Sequence, residues 1–182
     1  MPSDLKINKR IYLSAILTIL LLCCVVYAAQ AQSIELSVDQ FRKMVSDAQM
    51  RFEDYKTINT FNGVHHRPIL DTRFKRMFRS VLTNAAKEKP NFDGKYVVAS
   101  WGCGSNCQQF AIINLETGIV TEGHTTEWGL AYRVDSNLLL VNDPNNVLDE
   151  SMWPHGVMPS WIYTEYYKWD GKKLILLKSI NR

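Results

Sequence analysis

The stretch Lys95-Tyr96-Val97-Val98-Ala99-Ser100-Trp101-Gly102-Cys103-Gly104-Ser105-Asn106-Cys107-Gln108-Gln109-Phe110-Ala111-Ile112-Ile113-Asn114-Leu115 decides the fold class. Its two ends are rich in β-branched and aromatic side chains and predict strands from Lys95 to Trp101 and from Gln108 to Leu115. Its middle cannot stay extended, because Gly102, Gly104, Ser105 and Asn106 are residues that accept turn conformations at little cost. From here to the C-terminus the apolar period is two. Further strands are expected at Gly118 to Glu122, Ala131 to Val134, Leu138 to Asn142, Ile162 to Trp169 and Lys172 to Ser179. Thr117-Gly118, Asp135-Ser136-Asn137 and Asp170-Gly171 supply the turns.

Upstream the period is that of a helix. Ser37-Val38-Asp39-Gln40 has the form of a capping box, and Phe41, Met44, Val45, Ala48 and Phe52 follow three and four apart, predicting a helix from Val38 to Tyr55. Lys56 to Pro68, with Asn62-Gly63 and His65-His66, has no period and reads as loop. Phe74, Met77, Phe78, Val81, Leu82 and Ala85 then form one apolar stripe with Arg73, Lys75, Arg76, Arg79 and Lys87 off it, and Pro90 ends this second helix. Helices followed by consecutive hairpins define an α+β fold, with two N-terminal amphipathic helices packed on an antiparallel β-meander of about six or seven strands. The segment from Asp143 to Ser160, with Pro144, Pro154 and Pro159, reads as a long irregular loop.

The N-terminus carries Lys6, Lys9 and Arg10, an uncharged run from Ile11 to Ala29, and Ala29-Gln30-Ala31 before polar residues. These are the three parts of a secretory signal peptide, so residues 1–31 are expected to be removed and 32–182 to form a single domain that is periplasmic or secreted. An uncleaved run of this length is also able to anchor the domain in the inner membrane with its basic flank inside. Lipidation at Cys23 or Cys24 is not expected, since Leu22 or Cys23 stands where a small residue is needed.

Residues 32–182 hold 18 basic and 17 acidic side chains, the other three cations and Asp4 lying in the leader. A net charge of one argues against nucleic acid or a bulk anionic surface as partner. This leaves membrane contact only to residues 11–29, if they are retained. Two cysteines remain, Cys103 and Cys107, and an even pair in an oxidising compartment is most simply a disulfide. Closing i to i+4 needs Cα atoms within about 7 Å, so the chain must turn there. Reactive thiol pairs sit two apart at a helix N-terminus, which agrees with neither the spacing nor the expected strands.

The loop is similar in composition to the cysteine-glycine-serine-cysteine stretch around the nucleophile of papain-like proteases, but Ala111 to Gly118 forms a strand and turn where those enzymes have a helix. More closely, the chain resembles a group of small exported bacterial proteins without assigned activity. The resemblance runs through Asn91-Phe92-Asp93-Gly94, Tyr96, the Trp-Gly-Cys-Gly-x-x-Cys-Gln loop from Trp101 to Gln108, and Thr117-Gly118. It extends loosely through Tyr132 to Ser136, Leu138 to Val141 and Tyr166 to Trp169. What it implies is an exported compartment and this fold, and it carries no activity.

No cofactor and no metal are expected: His65, His66, His124 and His155 do not show converging ligand spacing. Aromatic side chains crowd the second half, where alternate strand positions bury them, yet Trp101, Trp128 and Trp153 fall at connections. With Gln108 they are the candidate binding residues, in a non-catalytic module that recognises an envelope or extracellular protein or glycan through its loops, as an inhibitor or immunity-type protein does. The alternative is a cell-envelope hydrolase using Cys107 or a carboxylate pair drawn from Glu122, Glu127, Asp135, Asp143, Asp149 and Glu150; a nucleophilic Ser105 or Cys107 would need a base such as His124, and nothing in the sequence places one beside the other.

Overall fold

Ser37 opens the first helix as its sequence predicts. In a computed structural model of the chain, which describes residues 35–181, its Oγ accepts from Gln40 N at 3.1 Å and its N–H donates to Gln40 Oε1 at 3.0 Å. The expected signal peptide, residues 1–31, lies outside the described residues. The chain divides at Leu36, and every described strand and helix lies on the C-terminal side of that boundary. Among the described residues no helix is long and apolar enough to cross a membrane.

Helix α1, Val38–Ala48, ends short of the expected Tyr55. Gln49 turns left-handed at φ 52°, and a short 3-10 turn, Phe52–Tyr55, follows. The cause is tertiary: Ser136 Oγ lies 3.0 Å from Phe52 O and 3.1 Å from Tyr55 O, which holds this turn against the β-sheet. The expected second helix is two, α2 (Arg73–Met77) and α3 (Arg79–Ala85), broken at Phe78. A fourth, α4 (Pro144–Val147), was not expected.

All seven predicted strands form, with shifted ends: β2 (Tyr96–Gly104), β3 (Cys107–Asn114), β4 (Val120–Thr126), β5 (Leu130–Tyr132), β6 (Leu138–Val141), β8 (Thr164–Trp169) and β9 (Leu174–Ile180). Two-residue strands β1 (Leu36–Ser37) and β7 (Val157–Met158) pair with each other. The pairing is antiparallel throughout, but the expectation of one meander is corrected. There are two main sheets, β2-β3-β4 and β5-β6-β8-β9.

Three apolar clusters show how they stack. Phe92, Tyr96, Val98, Phe110 and Ile112 meet Leu139, Val141, Tyr167 and Trp169 between the two sheets. The opposite parity of the first sheet, Val97, Ala99, Ala111, Ile113 and Val120, packs on Leu82 and Ala86. The opposite parity of the second, Leu138, Leu140 and Tyr166, packs on Val38, Phe41 and Ala48 of α1. The order of layers is therefore helix, four-stranded sheet, three-stranded sheet, helix. The helices cover the two outer faces, not one face as expected.

A strap of residues 56–70 carries the chain from one helix layer to the other past both sheets. Each step between packed layers is about 10 Å, which explains why so long a segment is irregular. It is fixed along its length: Thr57 N donates to Asp135 O (2.9 Å), Phe61 N to Gly94 O (2.8 Å), His66 N to Leu115 O (2.9 Å) and Ile69 N to Gly118 O (2.8 Å). Gly94 and Gly118, at φ 70° and 75°, lie so close to the strap carbonyls of Asn59 and Arg67 that a β-carbon would overlap them. Beside Gly94, the Asp93 carboxylate accepts from Thr57 Oγ1, and burial holds its pKa above the usual carboxylate value.

The chain passes from one sheet to the other between Thr126 and Leu130, and Asn142 holds that passage. Its side chain is fully buried and its backbone left-handed at φ 58°. Asn142 Oδ1 accepts from Glu127 N (2.9 Å) and Trp128 N (3.1 Å) and lies 2.8 Å from Thr126 Oγ1, while Asn142 N donates to Gly129 O (2.9 Å) and Asn142 O accepts from Thr164 Oγ1 (2.8 Å).

Two predictions follow from these contacts. Replacing Asn142 by Ala removes the shared acceptor of two part-buried N–H groups and keeps a left-handed residue, and is expected to cost about 2–4 kcal/mol in urea denaturation; Asn142→Gly should recover only about 1 kcal/mol of that. For Asp93, whose folded pKa is raised, the favourable contribution exists below the unfolded value and is lost as pH rises through the folded one. Asp93→Asn should therefore raise the melting temperature at pH 7, with the gain vanishing below about pH 4.

Candidate functional site

Cys103 and Cys107 are joined as a disulfide with their Cα atoms 5.1 Å apart. A regular strand could not bring i and i+4 together, and the hairpin solves this with a bulge. Gly102 pairs with Gln108 and Gly104 with Cys107, so Cys103 is an extra residue on β2 with no partner of its own. Ser105 and Asn106 make the turn, Asn106 at φ 49°, a conformation asparagine accepts more readily than most residues. The tip is exposed from Gly102 through Asn106. While bridged, Cys107 has no thiolate to offer as a nucleophile.

The candidate binding residues separate. Trp101 is not at the tip: its ring packs 4.6 Å from Phe78 and 6.0 Å from Phe74, and its Nε1 donates to Gln109 Oε1 at 3.2 Å. It closes the seam between helices and hairpin. Gln108 is exposed and lines an open polar groove of about 460 Å³ together with Ser100, Gly102, Gly104, Asn106 and Glu127. Trp101 borders this groove as well.

Trp128 and Trp153 come together, ring centroids 5.4 Å apart and both half-buried. Trp153 belongs to the segment expected to be irregular, and that expectation is corrected. Asp143 caps α4 through a bond from Asn145 N (2.9 Å), a 3-10 turn Glu150–Met152 follows, and β7 closes the segment. Trp153 Nε1 donates to Val147 O (2.6 Å) and Asn146 Nδ2 to Trp128 O (2.9 Å), so the tryptophan pair is tied to α4 from both sides. Trp128 Nε1 is buried with no acceptor among the described residues.

One short segment links the two places. Thr126 stands opposite Gln108 across β3–β4, Glu127 lines the groove, and the Trp128 ring packs at a tilt against Trp153. The cysteine hairpin and the proline-rich segment thus sit at the same end of the molecule. Sequence reasoning placed Glu127 only among carboxylates, and nothing in its neighbours marks it as a groove residue. Trp161, 59% exposed, was counted only among the crowded aromatics.

Four carboxylates of the hydrolase alternative have structural partners. Glu122 accepts from Thr72 Oγ1 (2.9 Å), Asp143 caps α4, and Asp149 accepts from Ser151 Oγ (2.7 Å). Arg133 donates to Asp135 (2.7 and 2.9 Å) and holds that carboxyl below the usual range. His65 Nδ1 lies 3.1 Å from Ala86 O, His124 stacks on Tyr167 at 5.6 Å, and His66 and His155 are exposed. Among the described residues no three His, Cys, Asp or Glu side chains converge as a metal site. No family model matches the chain, and no curated protein or solved structure matches it.

The bridge closes only a five-residue loop inside a hairpin that strand pairing already holds. Cys103→Ser/Cys107→Ser is therefore expected to keep the fold and lose about 2 kcal/mol in chemical denaturation. Loss of cooperative unfolding in that variant would contradict this account of the hairpin.

Proposed function

We propose that the protein is a non-catalytic binding module of the bacterial cell envelope or exterior, which grips an envelope or extracellular protein or glycan with one end of its double sheet. An inhibitor or immunity-type role suits this surface. The observation that carries the reading is the convergence of an exposed, disulfide-bound hairpin tip and a packed, mutually tilted tryptophan pair on the segment from Thr126 to Trp128. Half-buried tryptophans beside a polar rim are the anchors that recognition surfaces use. A rigid rim also costs little ordering entropy when a partner docks.

Export is supported by the leader-like N-terminus and by the disulfide, which persists in oxidising compartments. Periplasm or exterior is the expected location, with or without the N-terminal run as anchor.

Chemical crosslinking of the tagged protein in intact cells, followed by recovery from the envelope fraction, tests the reading. Wild type should bring down a partner that Trp153→Ala and Gln108→Arg each reduce at least tenfold, with melting temperatures showing both variants folded. Undiminished recovery by both folded variants would overturn it.

A further inference from the structure

The near-neutral charge of residues 32–182 hides a division. Residues 64–90 contain seven lysines and arginines (Arg67, Arg73, Lys75, Arg76, Arg79, Lys87 and Lys89) against two carboxylates, Asp71 and Glu88. The rest of 32–182 is correspondingly acidic, with 11 basic and 15 acidic side chains. The positive excess belongs to α2, α3, the end of the strap that leads into them and the short segment after α3 that carries Lys87 and Lys89.

Little of it is neutralised locally. Lys75 pairs with Asp71 at 2.7 Å, and Arg76 Nη1 spends its bonds on the carbonyls of Leu70 (3.3 Å) and Asp71 (2.9 Å). Among the described residues no carboxylate lies within ion-pair distance of Arg73, Arg76 or Arg79, and all three are exposed. Arg73 and Arg76 stand three apart on α2, so these like charges repel along its surface, and Arg79 opens α3 just beyond the break. Stability alone would not select this arrangement.

The apolar residues on the same layer point to the occupant. Met77, between Arg76 and Arg79, is 66% exposed, and Ile69 and Val64 on the strap are 47% and 86% exposed. Cations interleaved with exposed aliphatic side chains suit a surface that is anionic at its head groups and apolar just beneath. A nucleic acid would want aromatic rings for stacking, yet Phe74 and Phe78 are turned inward onto Trp101. A hydrophilic polyanion would leave Met77 unused.

We infer that the outer face of α2 and α3, through Arg73, Arg76 and Arg79 with Met77 inserted among them, docks on an anionic phospholipid bilayer. This surface is separate from the groove and tryptophan pair proposed above for a partner. Docking through it would leave those residues free.

The test is co-sedimentation of the full-length chain with vesicles of equal parts phosphatidylglycerol and phosphatidylcholine, and with pure phosphatidylcholine. The N-terminal apolar run can enter either vesicle, so the readout is the ratio of the two affinities, not binding itself. Wild type should prefer the anionic vesicles at least tenfold at low salt, with the preference disappearing at high salt. Neutralising three arginines next to an anionic surface should weaken anionic binding on the order of a hundredfold, and each single Arg→Gln variant about fivefold. R73Q/R76Q/R79Q should therefore lose the preference without a lower melting temperature, since it relieves repulsion. Should the triple variant fail to fold, the single variants decide. Equal affinity of the wild type for both vesicles, or an undiminished preference in the folded variants, would overturn the inference. So would binding to poly-glutamate or duplex DNA through the same arginines with no lipid preference.

Discussion

Asn142 is where the two sheets are joined, and its side-chain oxygen is the single acceptor on which the joint depends. The chain leaves the edge strand β4 at Thr126 and enters the edge strand β5 of the other sheet at Leu130. Between them two main-chain N–H groups, those of Glu127 and Trp128, turn inward, and both are satisfied by Asn142 Oδ1. A short side chain with an acceptor oxygen is needed to do this from a left-handed position, since it must fold back toward its neighbours, and asparagine tolerates φ > 0. Thr164, at the head of β8, completes the arrangement by donating to Asn142 O. A change here alters more than local stability, because the same residues set where Glu127 and Trp128 face.

The strands and the first helix start were legible because they rest on local chemistry. Ser37 and Gln40 cap as their spacing requires, and Thr117-Gly118 and Asp170-Gly171 turn where they should. The layering was not read, although a signal for it exists. Val97-Val98-Ala99, Phe110-Ala111-Ile112-Ile113 and Leu138-Leu139-Leu140-Val141 are apolar at both parities, and every one of these residues is buried. A strand buried on both faces requires a layer on each side, which a single sheet with helices on one face cannot supply. Weighing continuity of the apolar run above strict alternation would have exposed the second sheet.

Helix ends were misjudged for a different reason. The periodicity of Phe52 with α1 is real, but Phe52 and Tyr55 lend their carbonyls to Ser136, a contact eighty residues distant in sequence that no local pattern encodes. The site shows the same split between local and distant information. The disulfide was legible from two cysteines and their glycines, whereas the bulge that seats Cys103 is a property of register. Trp101 and Trp128 looked alike in sequence, each at the edge of a connection. Phe74 and Phe78 draw the first into a helix seam, while Trp153 meets the second beside the groove.

The end of the molecule proposed for recognition gains its rigidity from three independent restraints, a covalent bridge, the Asn142 acceptor and the Val147 carbonyl that holds the Trp153 indole. Rigid loops on a double sheet discriminate partners by shape and fixed donors, because they cannot remodel to suit a second partner. The opposite device appears on α2 and α3. There, long exposed arginines and a methionine would suit a surface without fixed shape, as the proposed bilayer is. One face built for a defined partner and another for an undefined surface is the arrangement expected if the module works at a membrane, where confinement to the surface raises the local concentration at which the rigid end meets its target.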